Sequence, residues 1–153
     1  MIEVGKKAPA ITLLDGNGNK RTLREFEGKK IVLYFYPKDD TSGCTAEACD
    51  FRDSFPKFNK TKAEIIGVSP DSVASHKKFA EKYELPFILL SDEEKKVVEK
   101  YGVWKEKSMY GKKYMGVERT TVLIDGKGII RKIYPKVKVS GHVDEVTKDL
   151  EAI

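Results

Sequence analysis

The 153-residue sequence has no long apolar run, and its first residues lack the apolar core of a signal peptide. A membrane-spanning helix needs about 20 consecutive apolar residues, and no segment approaches that length. We therefore expect a cytoplasmic protein that does not act at a membrane. The length suits one domain with a substantial core, so we expect residues 1–153 to form a single domain.

Cysteine and histidine are both scarce, with two residues of each. Two cysteines in a reducing compartment indicate catalysis, redox sensing or inert burial rather than structural disulfide bonds. His76 and His142 show no paired spacing, so the composition does not favour a zinc site. We expect a protein that works without a cofactor.

Neither sign of charge forms a long block. The chain has 29 basic and 24 acidic residues, a net charge of +5, and the charges are interspersed along it. Short lysine pairs such as Lys29-Lys30 stand beside acidic or aromatic residues and are typical of solvated faces. This pattern argues against a nucleic-acid-binding surface.

Residues 34–51 contain both cysteines and overlap the most apolar run of the chain. Residues 31–36 are β-branched, aromatic or aliphatic throughout, which predicts a strand covered on both faces. Pro37 ends that strand. The polar residues 39–42 then offer several helix N-caps, and the residues after Cys44 favour a helix.

Cys44 is therefore predicted in or just before the first turn of a helix. A helix N-terminus presents unpaired N–H groups and the positive end of the backbone dipole, which favour thiolate over thiol. This makes Cys44 a candidate nucleophile. Cys49 would lie ~7.5 Å further up the axis and ~140° around it. A disulfide needs Cα atoms within roughly 7 Å of each other, so a bond between these cysteines would require local unwinding.

Residues 37–44 resemble the active-site motif of the peroxiredoxins, in which a proline and a threonine precede the reactive cysteine by seven and three residues. The spacing of Cys44 and Cys49 is similar to that of the bacterioferritin comigratory protein subfamily, also called the Q type. Residues 116–125 resemble the segment that carries the active-site arginine of that family, here Arg119. Ser42 stands where many members have proline, a departure that removes no reacting group.

The resemblance implies a thiol-dependent peroxidase for hydrogen peroxide and organic hydroperoxides. Cys44 would become a sulfenic acid, Cys49 would capture it as an intramolecular disulfide, and thioredoxin or a similar dithiol donor would reduce that bond. Arg119 would stabilise the thiolate and polarise the O–O bond, Thr41 would hydrogen-bond the peroxide, and Pro37 would shield the sulfur. We expect a monomer, and the sequence leaves a dimer open.

The order of predicted elements indicates an α/β fold. Residues 10–14 and the turn at 15–18 predict an N-terminal hairpin. Strands alternate with helices over residues 31–101, which indicates βαβ units and parallel strands. Residues 117–134 predict a second hairpin and residues 143–150 a closing helix. This is the order of a thioredoxin-like fold with an N-terminal β-hairpin extension and a central mixed sheet flanked by helices.

Two further stretches are less decisive. Phe51, Phe55 and Phe58 recur at helical spacing, which predicts an aromatic core stripe on one helix face. Residues 103–115 are the least regular part of the chain. They form either a loop flanking the active site or a cover over a sheet edge.

Some alternatives remain open at this level. Glu47 could orient Arg119 or a backbone group, although the pattern favours a surface carboxylate that supports the helix N-terminus. A thioredoxin-type disulfide oxidoreductase is a rival function, but that chemistry normally places two residues between the cysteines and this chain has four. A non-enzymatic redox sensor is the other rival.

Overall fold

The structure is a computed structural model, and it describes residues 2–153. Its strands are β1 (Thr12–Asp15), β2 (Lys20–Thr22), β3 (Lys30–Phe35), β4 (Ala63–Ser69), β5 (Ile88–Ser91), β6 (Trp104–Met109), β7 (Lys112–Val117), β8 (Thr120–Ile124) and β9 (Ile130–Tyr134). Its α-helices are α1 (Ser42–Asp53), α2 (Phe55–Lys60), α3 (Val73–Lys82), α4 (Lys96–Lys100) and α5 (His142–Glu151). A 3-10 helix spans Leu23–Phe26.

Seven strands form one mixed sheet in the order β2-β1-β5-β4-β3-β8-β9. The three central strands β3, β4 and β5 are parallel, and helices connect them. The hairpin β8-β9 joins one side antiparallel to β3, and the N-terminal hairpin β1-β2 joins the other side antiparallel to β5. The α/β architecture is therefore as the order of elements predicts.

Side chains of β3 alternate between two apolar clusters on opposite faces of the sheet. Ile31, Leu33 and Phe35 pack in the cluster that includes α4. Val32 and Tyr34 pack in the cluster formed with α1, α2, α3 and α5. Every residue from 31 to 36 is buried, which confirms a strand covered on both faces.

The aromatic stripe does not lie on one helix, and this prediction was wrong. Helix α1 ends at Asp53, and α2 begins at Phe55. Pro56 explains the break, because proline has no N–H and its ring would clash with the carbonyl group four residues earlier. Phe51 and Phe58 are nevertheless both buried, with ring centroids 5.9 Å apart.

Residues 103–115 are more regular than predicted. Strands β6 and β7 pair in register as a separate two-stranded sheet, and Tyr110 and Gly111 turn between them with positive φ angles of 53° and 76°. The predicted strand from residue 117 to residue 124 is divided, because Val117 ends β7 and Thr120 begins β8. Arg119 therefore lies in the link between two strands and not within a strand.

None of the helices formed by residues 2–153 has the length and apolar character needed to cross a membrane.

Candidate active site

The site lies at the carboxyl end of β3. Thr120, the first residue of β8, pairs with Phe35, the last residue of β3. Arg119 precedes β8, and this pairing brings it beside the segment that leads from β3 into α1. The carbonyl of Arg119 also accepts a hydrogen bond from the N–H of Val137 at 2.9 Å, which fixes its backbone.

Cys44 is the third residue of α1 and so lies in the first turn of a helix, one of the two positions that the sequence predicts. Thr41 is the N-cap, with extended backbone angles, and its carbonyl accepts the hydrogen bond from the N–H of Thr45 at 2.8 Å. The N–H of Cys44 precedes that bond and so belongs to the unpaired first turn, where backbone dipoles favour a negative charge. Only 2% of Cys44 is exposed, so the residue is largely shielded from bulk water.

The guanidinium of Arg119 bridges the sulfur and a carboxylate. Its Nη2 donates to Sγ of Cys44 at 3.2 Å, and its Nη1 donates to Oε1 of Glu47 at 2.5 Å. Burial acts to lower the pKa of Arg119, but the charges of Glu47 and Cys44 outweigh it and raise that pKa. The guanidinium that contacts the Cys44 sulfur is therefore permanently charged.

A glycine makes this close approach feasible. A Cβ atom built on Gly43 would lie 3.2 Å from Nη2 of Arg119, closer than ordinary van der Waals contact. The absence of a side chain at this position leaves room for the guanidinium beside the first turn of α1.

Glu47 is fully buried, with 0% exposure, and not the surface carboxylate that the sequence pattern favours. Burial raises its pKa to about 7, against the opposing pull of Arg119. The surface prediction failed because Glu47 follows Cys44 by three residues, which places both side chains on the buried face of the helix. That spacing was a usable signal, because it aims the carboxylate at the same group that the thiol faces.

The buried carboxylate predicts a pH-dependent stability. Its folded pKa of about 7 exceeds the ordinary 4.5, so the folded state retains a proton that the unfolded state loses. The contribution of Glu47 to the unfolding free energy is therefore complete below pH 4.5 and is lost as the pH rises to 7. We expect the unfolding free energy of the wild type to fall by about 3 kcal/mol across this window relative to Glu47→Gln.

Denaturant unfolding of both proteins in their reduced forms, at a series of pH values, measures this difference. Glutamine does not titrate, so the variant shows the pH dependence of the remaining groups. Parallel stability profiles in the two proteins would contradict the prediction.

Thr41 and Pro37 stand at the two ends of the loop before α1. Thr41 is exposed, and its hydroxyl donates to the carbonyl of Lys38 at 2.9 Å. Its proton is thus engaged, which leaves the oxygen free to accept a further hydrogen bond. Pro37 is half-buried directly after β3.

A buried hydrogen-bond network anchors this loop to α3, and the sequence reasoning missed it. The Asp39 N–H donates to Oδ2 of Asp71 at 2.8 Å. The carboxylate of Asp39 accepts hydrogen bonds from the hydroxyls of Tyr36 and Ser75 at 2.6 and 2.7 Å. Nδ1 of His76 lies 2.7 Å from the same carboxylate. His76, with 0% exposure, is therefore structural.

The loop has a second attachment through Asp40, whose φ of 58° is in the left-handed region. Its carboxylate accepts hydrogen bonds from Nζ of Lys82 and the hydroxyl of Tyr83, both at 2.8 Å. The segment between β3 and α1 is therefore fixed to α3 and to the residue that follows it.

One group of acidic and imidazole side chains in residues 2–153 converges closely enough to suggest a cation site. The ligand atoms of Asp39, Asp71 and His76 lie within 4.8 Å of one another. The hydrogen bonds of the anchoring network already occupy these atoms, and Nε2 of His76 lies 2.9 Å from the carbonyl of Leu90. The group includes neither cysteine.

Cys49 lies on the same continuous helix as Cys44, half-buried, and both cysteines are free thiols. Five residues of regular helix separate the two side chains by ~140° around the axis. A disulfide between them therefore requires the turn that contains them to unwind.

The β6-β7 hairpin flanks the site. Burial and the charge of Arg119 lower the pKa of Lys107 in β6, while the charge of Cys44 acts in the opposite direction. A Cβ atom on Gly116 would lie 3.3 Å from Cδ of Lys107, so the lysine stem lies across that glycine. This supports the first of the two readings of residues 103–115.

A cysteine sulfur at a helix N-terminus, hydrogen-bonded by an arginine and shielded from bulk water, is equipped for nucleophilic attack on a peroxide oxygen. On a mixed sheet covered by helices, this chemistry defines a thiol-dependent peroxidase of the peroxiredoxin class.

The chain belongs to the AhpC/TSA family, whose profile matches residues 4–133. It is 54% identical over 150 residues to peroxiredoxin Bcp of Bacillus subtilis, covering 98% of this chain and 96% of that protein. It is 54% identical over 145 residues to a putative peroxiredoxin bcp of Coxiella burnetii, covering 95% and 96%.

A solved structure of the bacterioferritin comigratory protein of Xanthomonas campestris, described for alkyl peroxide reduction, is 44% identical. It superimposes with a TM-score of 0.88 and covers 93% of this chain and 90% of that chain. These relatives confirm the Q-type subfamily, the thioredoxin-like peroxiredoxin fold and peroxidase activity.

Proposed function

We propose that Cys44 is the peroxidatic cysteine and Cys49 the resolving cysteine of a peroxidase for hydrogen peroxide and organic hydroperoxides. One observation carries this assignment: the 3.2 Å hydrogen bond from Nη2 of Arg119 to Sγ of Cys44, at the first turn of α1. Cys49, the eighth residue of α1, lies beyond that first turn and is half-buried.

In the first step the Cys44 thiolate attacks the terminal oxygen of R–O–OH. An S–O bond forms and the O–O bond breaks, so sulfur is oxidised to the sulfenic acid. The displaced R–O⁻ takes a proton and leaves as an alcohol, or as water when the substrate is hydrogen peroxide. Arg119 donates to the site where negative charge moves from sulfur to oxygen, and the Thr41 oxygen can accept a hydrogen bond from the peroxide O–H.

In the second step the Cys49 thiolate attacks the sulfenic sulfur of Cys44. An S–S bond forms, the S–OH bond breaks, and the hydroxyl leaves as water after it takes a proton. Both cysteines lie on one helix, so a monomer supplies both reacting groups. A dithiol donor such as thioredoxin then reopens the disulfide by thiol exchange. The alkyl peroxide reduction described for the Xanthomonas campestris relative supports the organic substrates.

Thiol counting tests the assignment. After one equivalent of hydrogen peroxide, we expect the reduced wild-type protein to lose both thiols without a covalent dimer, and its mass to fall by two hydrogens. Cys49→Ser should retain a sulfenic acid that is trapped by a dimedone probe at Cys44. A disulfide-linked dimer of the wild type would instead assign resolution to a second chain.

A further inference from the structure

Two buried side-chain oxygens in residues 2–153 have no hydrogen-bond partner in the protein: the hydroxyl of Tyr34 and Oε2 of Glu47. The other oxygen of the Glu47 carboxylate, Oε1, accepts a hydrogen bond from Arg119, so this side chain has a partner through one of its two oxygens. The side chain of Tyr34 has no other polar atom, so it makes no hydrogen bond within the protein. A buried polar group without a partner destabilises the conformation that buries it.

The ring of Tyr34 is well packed, so the hydroxyl is the exception in this side chain. Its centroid lies 4.8 Å from that of Phe51 in α1 and 5.4 Å from that of Tyr36. A Cβ atom on Gly67 would lie 2.9 Å from Cζ of Tyr34, so the ring lies directly over that glycine. Tyr36 lies two residues further along the chain. Its hydroxyl has a partner, because it donates to the carboxylate of Asp39 at 2.6 Å.

The Tyr34 phenol packs in the apolar cluster on the face of the sheet that α1 covers. Cys44, Ala48 and Phe51 belong to the same buried cluster as Tyr34. Burial, and next the charge of Glu47, raise the pKa of Tyr34 well above its usual value. The phenol therefore stays neutral and keeps a donor proton that nothing in the folded protein accepts.

The two reaction steps make opposite demands on α1. Attack on peroxide uses the folded first turn, because there Arg119 contacts the sulfur. Disulfide formation uses an unwound turn, because the intact helix separates Cys44 from Cys49. An opening of α1 that lets water reach the Tyr34 hydroxyl supplies the missing hydrogen bond, so the unpaired group lowers the free-energy cost of that opening.

We propose that the Tyr34 hydroxyl is a positioning group for the second step: left unpaired under α1, it speeds the formation of the Cys44–Cys49 disulfide. The inference rests on the proposed function of the two cysteines. It also bears on inactivation. A slower second step gives a second peroxide more time to oxidise the sulfenic acid to a sulfinic acid, with transfer of one oxygen and release of an alcohol or water.

Tyr34→Phe tests this because it deletes one oxygen and keeps the ring. The bimolecular reaction of the reduced variant with hydrogen peroxide should match that of the wild type. Disulfide formation after that reaction, followed by acid quenching and mass spectrometry, should slow roughly 5- to 30-fold. The thermal midpoint should rise, and the share of sulfinic acid at Cys44 under excess peroxide should increase.

Tyr36→Phe is the matched control, two residues further along the chain and directly after β3. Its hydroxyl has a partner, so its removal should lower the thermal midpoint and should not slow disulfide formation. Equal rates of disulfide formation in Tyr34→Phe and wild type would overturn the inference. So would a lower thermal midpoint of Tyr34→Phe, since the hydroxyl would then be hydrogen-bonded in solution. A wild type that forms no intramolecular disulfide would instead refute the proposed function.

Discussion

Cys44→Ser should lose the reaction with hydrogen peroxide by at least about a thousandfold, measured as the bimolecular rate of peroxide consumption by the reduced protein. A serine hydroxyl is similar in size, so the packing of the first turn of α1 is conserved. Serine presents a neutral hydroxyl beside Arg119, and a neutral hydroxyl is a poor nucleophile towards a peroxide oxygen. The loss should therefore be chemical, with an unchanged far-ultraviolet circular dichroism spectrum.

Cys49→Ser is the matched control for this experiment. It removes the other thiol from the same helix, and we expect its first reaction with peroxide to proceed at a rate close to that of the wild type. Its turnover with a dithiol donor should be impaired because the sulfenic acid has no internal partner. Retained peroxide consumption in Cys44→Ser, together with its loss in Cys49→Ser, would reverse the roles of the two cysteines.

Arg119→Lys should slow the reaction of Cys44 with peroxide roughly 100-fold, although the charge is conserved. The guanidinium uses two nitrogens, one on Sγ of Cys44 and one on Oε1 of Glu47. A lysine ammonium is a single point donor on a flexible stem and cannot occupy both positions at once. The expected signature is a fall in the bimolecular rate with little change in the rate of disulfide formation.

Arg131→Lys controls for the general effect of replacing arginine. Arg131 is exposed on β9 and pairs with Asp125 at 3.4 Å, so its replacement should leave the peroxide reaction unchanged. If Arg119→Lys were as active as this control, the two-nitrogen contact would have no part in catalysis, and net positive charge near the sulfur would suffice.

Local patterns predicted those parts of the molecule in which neighbouring residues share one environment. The apolar run at 31–36 became β3, the polar residues before Cys44 became the loop and the N-cap of α1, and the turn residues 15–18 became the first hairpin. In each case the relevant physics is short-ranged: backbone propensity, capping and the alternation of buried side chains.

Local patterns did not predict strands β6 and β7, nor the break between α1 and α2. Strands β6 and β7 pair only with each other, and most of their residues are exposed. They therefore lack the alternation of apolar and polar residues by which a half-buried strand is recognised. The aromatic stripe failed for a different reason, because a single proline at position 56 outweighs the helical spacing of the phenylalanines.

The sequence by itself determined where Cys44 would be: in the first turn of a helix, five residues before a second cysteine and after a strand covered on both faces. Only the tertiary structure decided the surroundings of that thiol. It brought Arg119 across 75 residues of chain to the sulfur, buried Glu47 completely and left the Tyr34 hydroxyl unpaired. Spacing along a helix or strand sets the direction in which a side chain points. Its burial and its partners depend on the elements that pack against that face, which are distant in sequence.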